Sequence, residues 1–153
     1  AVKVLMVCLG NICRSPTAEA VLRAKLEAAG LGDRIVVDSA GTGSWHIGSP
    51  PDARSQRHAA TRGYDLSALR GRQVAALDFH RFDLILAMDE NNLAHLRRLV
   101  PQGTCRAELH LFAPVEVPDP YTGGAAGFER VLDLIESASD GWVKNLSKRL
   151  GTS

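Results

Sequence analysis

Cysteine is scarce in this chain: three residues of 153, Cys8, Cys13 and Cys105. So few, and odd in number, they argue against a disulfide scaffold and point to a reducing compartment, the cytoplasm. Long apolar runs are missing as well. None approaches the roughly 20 residues that cross a bilayer, so no membrane partner is expected. The start, AVKVLMVCLG, has no basic lead and no small-residue cleavage site, and it does not read as a signal peptide. Net charge is nearly absent, +1 at pH 7, which leaves no bulk field to attract nucleic acid. Arg70, Arg72, Arg97 and Arg98 read as solvated charges rather than a nucleic-acid face. The five histidines (His46, His58, His80, His95 and His110) are scattered without metal-ligand spacing and read as surface or packing residues. No metal and no other cofactor is expected. There is no G-K-[ST] phosphate loop, and GTGSWH (41–46) puts His46 where a dinucleotide fingerprint needs its third glycine.

What is present fits one soluble globular domain spanning 1–153, with 45% apolar and 23% charged residues. VKVLMV (2–7) is short, apolar and β-branched, and predicts a buried strand. Ser15-Pro16 then reads as a helix cap followed by proline at the first helical position. That helix would bury Val21, Leu22, Leu26 and Ala29 and end at Gly30. Further strands are expected over 35–41, 83–88 and 108–112, with helices over 53–62 and 90–99, the latter capped by Asp89. The last helix is expected from about Phe128 to Leu150, with Gly141 as a candidate interruption. Strands alternating with helices predict an α/β fold, a four-stranded parallel sheet flanked by helices on both faces. Ligands of such sheets bind beyond the carboxyl ends of the strands. Cys8, the 41–52 loop, Asp89 and the proline- and glycine-rich 113–127 loop should therefore share one rim.

The stretch VCLGNICRSPTAEA (7–20) places a thiol between that first strand and the first helix. A strand-to-helix turn offers backbone N–H groups which, if they converge, make a nest for an anion. The candidate nest is Leu9, Gly10, Asn11, Ile12, Cys13 and Arg14. Gly10 permits a backbone conformation other residues resist, and Asn11 tolerates left-handed geometry. Arg14 supplies a two-pronged donor matched to phosphate oxygens. Cys8 in that field should titrate below the ordinary thiol value, with Ser15 as a hydroxyl donor to its sulfur. A thiolate aimed at phosphorus held by the same N–H groups is an activated nucleophile. The rival reading of Cys8 alone is a small core hydrophobe. Cleaving a phosphate monoester also needs a proton for the leaving oxygen, and Asp119, fixed between Pro118 and Pro120, is the candidate donor.

The same stretch resembles the signature loop of the low-molecular-weight protein tyrosine phosphatases. The resemblance continues through VDSAGTGSWHIGSPPDARS (37–55), GRQV (71–74), LILAMDENNL (84–93) and VPDPY (117–121), and so covers nearly the whole chain. It implies hydrolysis of phosphotyrosine in proteins through a phosphocysteine on Cys8, with Arg14 binding phosphate and Asp119 as general acid. Phosphotyrosine proteins, tyrosine kinases among them, are the implied partners, and inorganic phosphate and other oxyanions the implied products or inhibitors. The resemblance also implies that Ser39 supports the loop through Asn11 and that Asp89 is a secondary site residue. By the same analogy Arg72 pairs with Asp38, and Trp45 and Tyr121 wall the cleft, where an aromatic ring would stack. A reversible Cys8–Cys13 disulfide would protect the nucleophile.

Two positions depart from the family pattern. Leu69 stands where many relatives carry histidine, so the network beneath Asn11 must be completed otherwise. Thr122 follows Tyr121 where a second aromatic is common. Rival functions rank lower. Arsenate reductases of this fold need additional closely spaced cysteines, and only Cys105 follows here. Phosphoarginine phosphatases of this type carry threonine at the place of Ile12. A thiol phosphocarrier loop lacks the arginine, and a redox module would not need Asp119.

Overall fold

Four parallel strands in the order β2-β1-β3-β4 form the centre of the protein. The computed structural model describes residues 1–101, 105–121 and 123–151. The strands are β1 (Val2–Cys8), β2 (Ile35–Gly41), β3 (Leu84–Ala87) and β4 (Glu108–Leu111), close to the apolar runs that predict them. The helices are α1 (Arg14–Ala28), α2 (Ala53–Thr61), α3 (Asp78–Arg81), α4 (Glu90–Leu99) and α5 (Ala125–Arg149).

The period of two along β1 and β3 divides the core. Val4, Met6 and Cys8 join Leu84, Leu86 and Met88 under α1 and α5, together with Val21, Leu22, Leu26, Ile135 and Leu146. Leu5 and Val7 join Ile85 and Ala87 on the opposite face, covered by Phe79, Phe82, Leu93 and Leu96. Both faces of the two central strands are covered, which explains why they read as continuous apolar runs rather than alternating ones. α1 packs on both the sheet and α5, so Arg14–Leu22 are buried all round.

Four local expectations change. α1 begins at Arg14 with Cys13 at its N-cap and no side-chain cap bond. Ser15 and Pro16 thus sit at the second and third helical positions, and the Ser15 hydroxyl is used inward instead. Ala29 is the exposed C-cap residue, with Gly30 left-handed behind it (φ 77°). α5 starts three residues before Phe128 and runs unbroken through Gly141. α3 has no counterpart in the sequence reading because four residues, DFHR, show no period. Its first residue, Asp78, is buried and accepts from the backbone N–H of Ala75 at 2.8 Å and from Arg72.

The strand order reverses between β1 and β3, the point where sheets of this type open a crevice at their carboxyl ends. β1 ends at Cys8 there, and β3 is followed by Asp89, the N-cap of α4. Two substitutions on α5 test its role. Ile135 is fully buried against the sheet, so Ile135→Ala should lower the unfolding free energy by about 2–5 kcal/mol in urea titration. Gly141 is exposed, and a Cβ there meets nothing within 4 Å. Gly141→Ala should therefore raise stability by about 1 kcal/mol.

Candidate active site

Three carbonyls of the stretch from Cys8 to Ile12 are bonded to neighbouring segments. The carbonyl oxygen of Cys8 accepts from Thr42 N–H at 2.9 Å, that of Leu9 from Gly43 N–H at 2.9 Å, and that of Ile12 from Asp52 N–H at 2.8 Å. Among the described residues the N–H groups of Gly10, Ile12 and Cys13 have no protein acceptor. Acceptors tied outward and donors left inward are the pattern of an anion nest. Asn11 makes the turn possible: among the described residues it is the non-glycine residue with left-handed backbone, φ 57°, a conformation asparagine tolerates. Gly10 is not left-handed, contrary to the sequence expectation. Its lack of a side chain serves close approach, because a Cβ there would lie 3.1 Å from Cδ2 of His46.

Cys8 is buried beneath this loop, with Ser15 Oγ 3.0 Å from its sulfur and Asn11 N–H donating to it at 3.3 Å. The serine contact is tied to the Asn11 amide. Arg72 N–H donates to Asn11 Oδ1 at 2.9 Å, so the amide nitrogen faces the two serines. Nδ2 then donates to Ser15 Oγ at 2.8 Å and to Ser39 Oγ at 3.0 Å. The Ser15 hydroxyl also meets Cys8 Sγ at 3.0 Å and the Ala40 carbonyl, to which it donates at 3.4 Å. Ser39 likewise gives its hydrogen to Glu19 Oε1 at 2.6 Å.

Glu19 was not singled out by the sequence. It sits on α1 facing β2, 4% exposed, and its second oxygen accepts from Arg23 at 2.5 Å. Burial pushes its carboxyl upward, while the bonds from Ser39 and Arg23 pull it back. Leu69, by contrast, is half-buried against Ala20, Ala59, Leu66 and Leu132 and does not enter this network. The expected Arg72–Asp38 pair is present at 3.1 Å, and Asp78 takes the same guanidinium at 3.1 Å.

Arg14 opens α1 and is 3% exposed. Its Nη1 donates to Asp89 Oδ2 at 2.7 Å and to the Val117 carbonyl at 3.1 Å, which fixes the guanidinium plane. Nε and Nη2 keep their N–H groups for a ligand, and Nη2 lies 3.8 Å from Asp119 Oδ2. Asp89 thus cements Arg14 with one oxygen and caps α4 with the other, accepting from Asn92 N–H at 2.7 Å. Asp119 is far more open, 46% exposed, and its other oxygen accepts from Tyr121 N–H at 3.0 Å.

A cleft of about 280 Å3 joins these groups: Cys8, Leu9, Gly10, Ile12, Cys13, Arg14, Trp45, His46, Asp119 and Tyr121 line it. Trp45 and Tyr121 stand on its rim, both exposed. His46, expected at the surface or in packing, is a lining residue with its ring 6.4 Å from that of Tyr121. Arg54 was also missed. It is paired with Asp52, lies 5.6 Å from the Tyr121 ring and 4.8 Å from the Phe128 ring, and donates to the Tyr121 carbonyl at 2.6 Å. It ties the Asp119 loop to α2. Thr122 lies outside the described residues. Among those described, no group of three or more His, Cys, Asp or Glu side chains is placed to hold a metal ion, and no helix is long and apolar enough to cross a membrane.

The second thiol of the loop has a different setting. Cys13 packs with Ile12 and Phe128, and burial, chiefly, pushes its thiol up to about 12.

Residues 3–151 match the model of the family described as low molecular weight phosphotyrosine protein phosphatase. The low molecular weight protein-tyrosine-phosphatase of Streptomyces coelicolor is 45% identical over 148 residues, 91% of this chain and 90% of that protein. Among solved structures, the protein tyrosine phosphatase from Entamoeba histolytica superposes with a TM-score of 0.91 at 38% identity, covering 97% of this chain and 98% of that one. DARP, the drosophila arginine phosphatase, superposes with a TM-score of 0.90 at 32% identity, covering 94% of this chain and 97% of its own.

The contrast between the cysteines is measurable. With iodoacetamide at pH 8, native protein should label half-exposed Cys105 while Cys13 stays unmodified, and Cys13 should label once guanidinium unfolds the chain. Peptide mass mapping reads both. Native labelling of Cys13 at the rate of Cys105 would show that the loop opens.

Proposed function

Because the chain belongs to the low molecular weight phosphotyrosine protein phosphatase family, we propose that it hydrolyses phosphotyrosine in proteins, with Cys8 as nucleophile, Arg14 and the 9–14 amides as phosphate ligands, and Asp119 as general acid. One observation carries this reading: a sulfur in hydrogen-bond contact with Asn11 N–H and the Ser15 hydroxyl lies under a loop whose Leu9 and Ile12 carbonyls are bonded to neighbouring segments and whose arginine is already fixed in place. Inward N–H groups and the guanidinium suit the equatorial oxygens of a phosphoryl group as charge builds on them. The sulfur–phosphorus bond forms as the phosphorus–tyrosyl oxygen bond breaks, and the Asp119 carboxyl gives its proton to the departing oxygen. Asp119, now a carboxylate, takes a proton from water. The oxygen of that water bonds phosphorus, the sulfur–phosphorus bond breaks, and phosphate leaves.

Trp45 and Tyr121 flank the entry for an aromatic ring, and Leu9 and Ile12 add apolar surface below them. Ile12 favours the aryl substrate over phosphoarginine, the second reading kept open by the likeness to an arginine phosphatase. Ser15, Ser39 and Asp89 hold the loop and Arg14 rather than react. Tyrosine kinases are natural candidates among the substrates, and the cytoplasm is the compartment that suits a working thiol.

Cys13 is assigned a protective role. A peroxide would convert Cys8 to a sulfenic acid, and the Cys13 sulfur would displace water to close a Cys8–Cys13 disulfide. Cys8 is the thiol oxidised, and Cys13, once its proton leaves, is the one that resolves it. An external dithiol reverses the step.

Three variants test the assignment. Cys8→Ser should abolish turnover of a phosphotyrosine peptide; full activity would end the reading. Asp119→Ala should cost about 100-fold or more on phosphotyrosine but much less on p-nitrophenyl phosphate, whose leaving group departs without a proton. Equal losses on both substrates would assign the proton to another residue. Phosphoarginine turned over faster than phosphotyrosine peptide would reverse the substrate choice.

A further inference from the structure

We propose that Gly43 is a positioning residue that sets the substrate preference of the cleft: it is the seat of the Trp45 indole, and so places the wall against which an aryl phosphate binds. The inference rests on the phosphatase reading of the site and goes beyond it to a position behind the wall.

The two walls of the cleft are held in different ways. Tyr121 is braced by polar contacts. Its N–H donates to Asp119 Oδ1 at 3.0 Å, its carbonyl accepts from Arg54 at 2.6 Å, and the same guanidinium lies 5.6 Å from its ring. Trp45 has none of these supports. It is 71% exposed, so burial does not hold it. Among the described residues its indole N–H has no acceptor, and no second ring or guanidinium packs on it. The ring instead folds back over the backbone two residues before it. A Cβ at Gly43 would overlap Cζ3 and Cε3 of the indole and lie 2.9 Å from Cη2. Only glycine leaves the ring that place. Gly43 is outside the left-handed region, so its backbone suits alanine, and the nearest atoms opposing a side chain are those of the ring. A flat ring laid on bare backbone gains dispersion contacts along its face.

The seat is fastened to the phosphate cradle. Gly43 N–H donates to the Leu9 carbonyl and Thr42 N–H to that of Cys8, both at 2.9 Å. Gln73 Nε2 holds the Thr42 carbonyl at 3.1 Å. Beyond Trp45 the chain is fastened again. Ser49 N–H donates to the His46 carbonyl at 3.0 Å, Gly48 N–H to the Gly71 carbonyl and Gly71 N–H to that of Ser49, both at 2.8 Å. The backbone on either side of Trp45 is thus fixed relative to the nucleophile loop, and the seat turns that into a fixed ring. The indole lines the same cleft as Cys8 and Arg14. A phosphoryl group on the loop gains from it only when it carries a ring of its own; inorganic phosphate does not. A ring already in place also spares the cost of ordering it on binding.

Gly43→Ala puts a methyl group where the indole lies and unseats the ring. KM for a phosphotyrosine peptide should rise about three- to tenfold at unchanged kcat, the pattern of lost uniform binding. Inhibition by inorganic phosphate, which uses the loop alone, should keep its wild-type constant. Trp45→Ala should show the same rise, and the double variant should go no further, because the seat acts through the ring. Fluorescence reads the ring itself. The chain has two tryptophans, so in Trp142→Phe the Trp45 indole reports alone, and Gly43→Ala in that background should lower its steady-state anisotropy. Wild-type KM in Gly43→Ala or in Trp45→Ala, a phosphate constant that weakens as much as KM rises, or a double variant worse than Trp45→Ala would each overturn the proposal. If Gly43→Ala does not fold, deleting the indole in the double variant must restore folding, and failure of that rescue overturns it as well. A wild-type protein that turns over neither the phosphotyrosine peptide nor p-nitrophenyl phosphate would refute the phosphatase reading instead, and the anisotropy would still judge the seat.

Discussion

A hydrogen bond across 61 residues of sequence, from the backbone N–H of Arg72 to the side-chain oxygen of Asn11, determines how the nucleophile loop can be built. The donor comes from the segment that runs beside Gly41, where Gly41 N–H donates to the Arg72 carbonyl at 2.8 Å and Val74 N–H to that of Gly41 at 2.8 Å. Once the Asn11 amide is oriented, both of its hydrogens are committed to the two serine hydroxyls beneath the loop. A left-handed residue costs free energy unless its surroundings over-determine it; here three side-chain bonds and the bond from its own N–H to the sulfur do so. The cost is met where it yields most, in turning backbone donors inward to a place where phosphate charge develops.

The two charged residues that face the cleft differ in how tightly they are held, and the difference matches their chemistry. Arg14 is buried and doubly anchored by Asp89 and the Val117 carbonyl. Binding phosphate then requires little reordering, which is how preorganised electrostatics lower a barrier. Asp119 is about half exposed and reaches Arg14 only at 3.8 Å. A group that must gain and lose a proton each cycle benefits from access to water, whereas one that must stay charged benefits from shelter. Pro118 and Pro120 restrict the backbone on either side of it, and Arg54 ties the following carbonyl to α2.

Much of this was legible in the sequence because the signals were local. The strands are apolar runs, the cap of α4 is a single aspartate, and the signature loop gathers thiol, amides and arginine within seven consecutive residues. What escaped depended on groups brought together from far apart. Glu19 lies at an ordinary helical position and looks like a solvated charge until α1 is seen wedged between the sheet and α5. The Ser15-Pro16 pair resembles a cap, but the helix starts two residues earlier, with Arg14 as its first residue, and the hydroxyl lies against the sulfur. Gly10 was read for its backbone freedom, whereas the chain uses Asn11 for the left-handed step and Gly10 for room against His46. Pairwise facts such as the Arg54 guanidinium over Tyr121 have no periodic signature at all.

The two thiols of the loop show why composition alone could not choose between them. They are five residues apart on one short turn, and both are buried. Cys8 ends a strand, and its sulfur accepts from Asn11 N–H and lies 3.0 Å from the Ser15 hydroxyl. Cys13 sits one step before the helix, against Phe128 and Ile12, with Asp52 and Asp119 adding negative potential to the effect of burial. Hydrogen-bond donors favour a thiolate, while apolar neighbours and nearby carboxylates oppose one. The same side chain thus meets hydrogen-bonding groups at one end of the loop and is kept protonated by burial at the other. If the two traded environments, the nucleophile would move with the donors rather than with the sequence position.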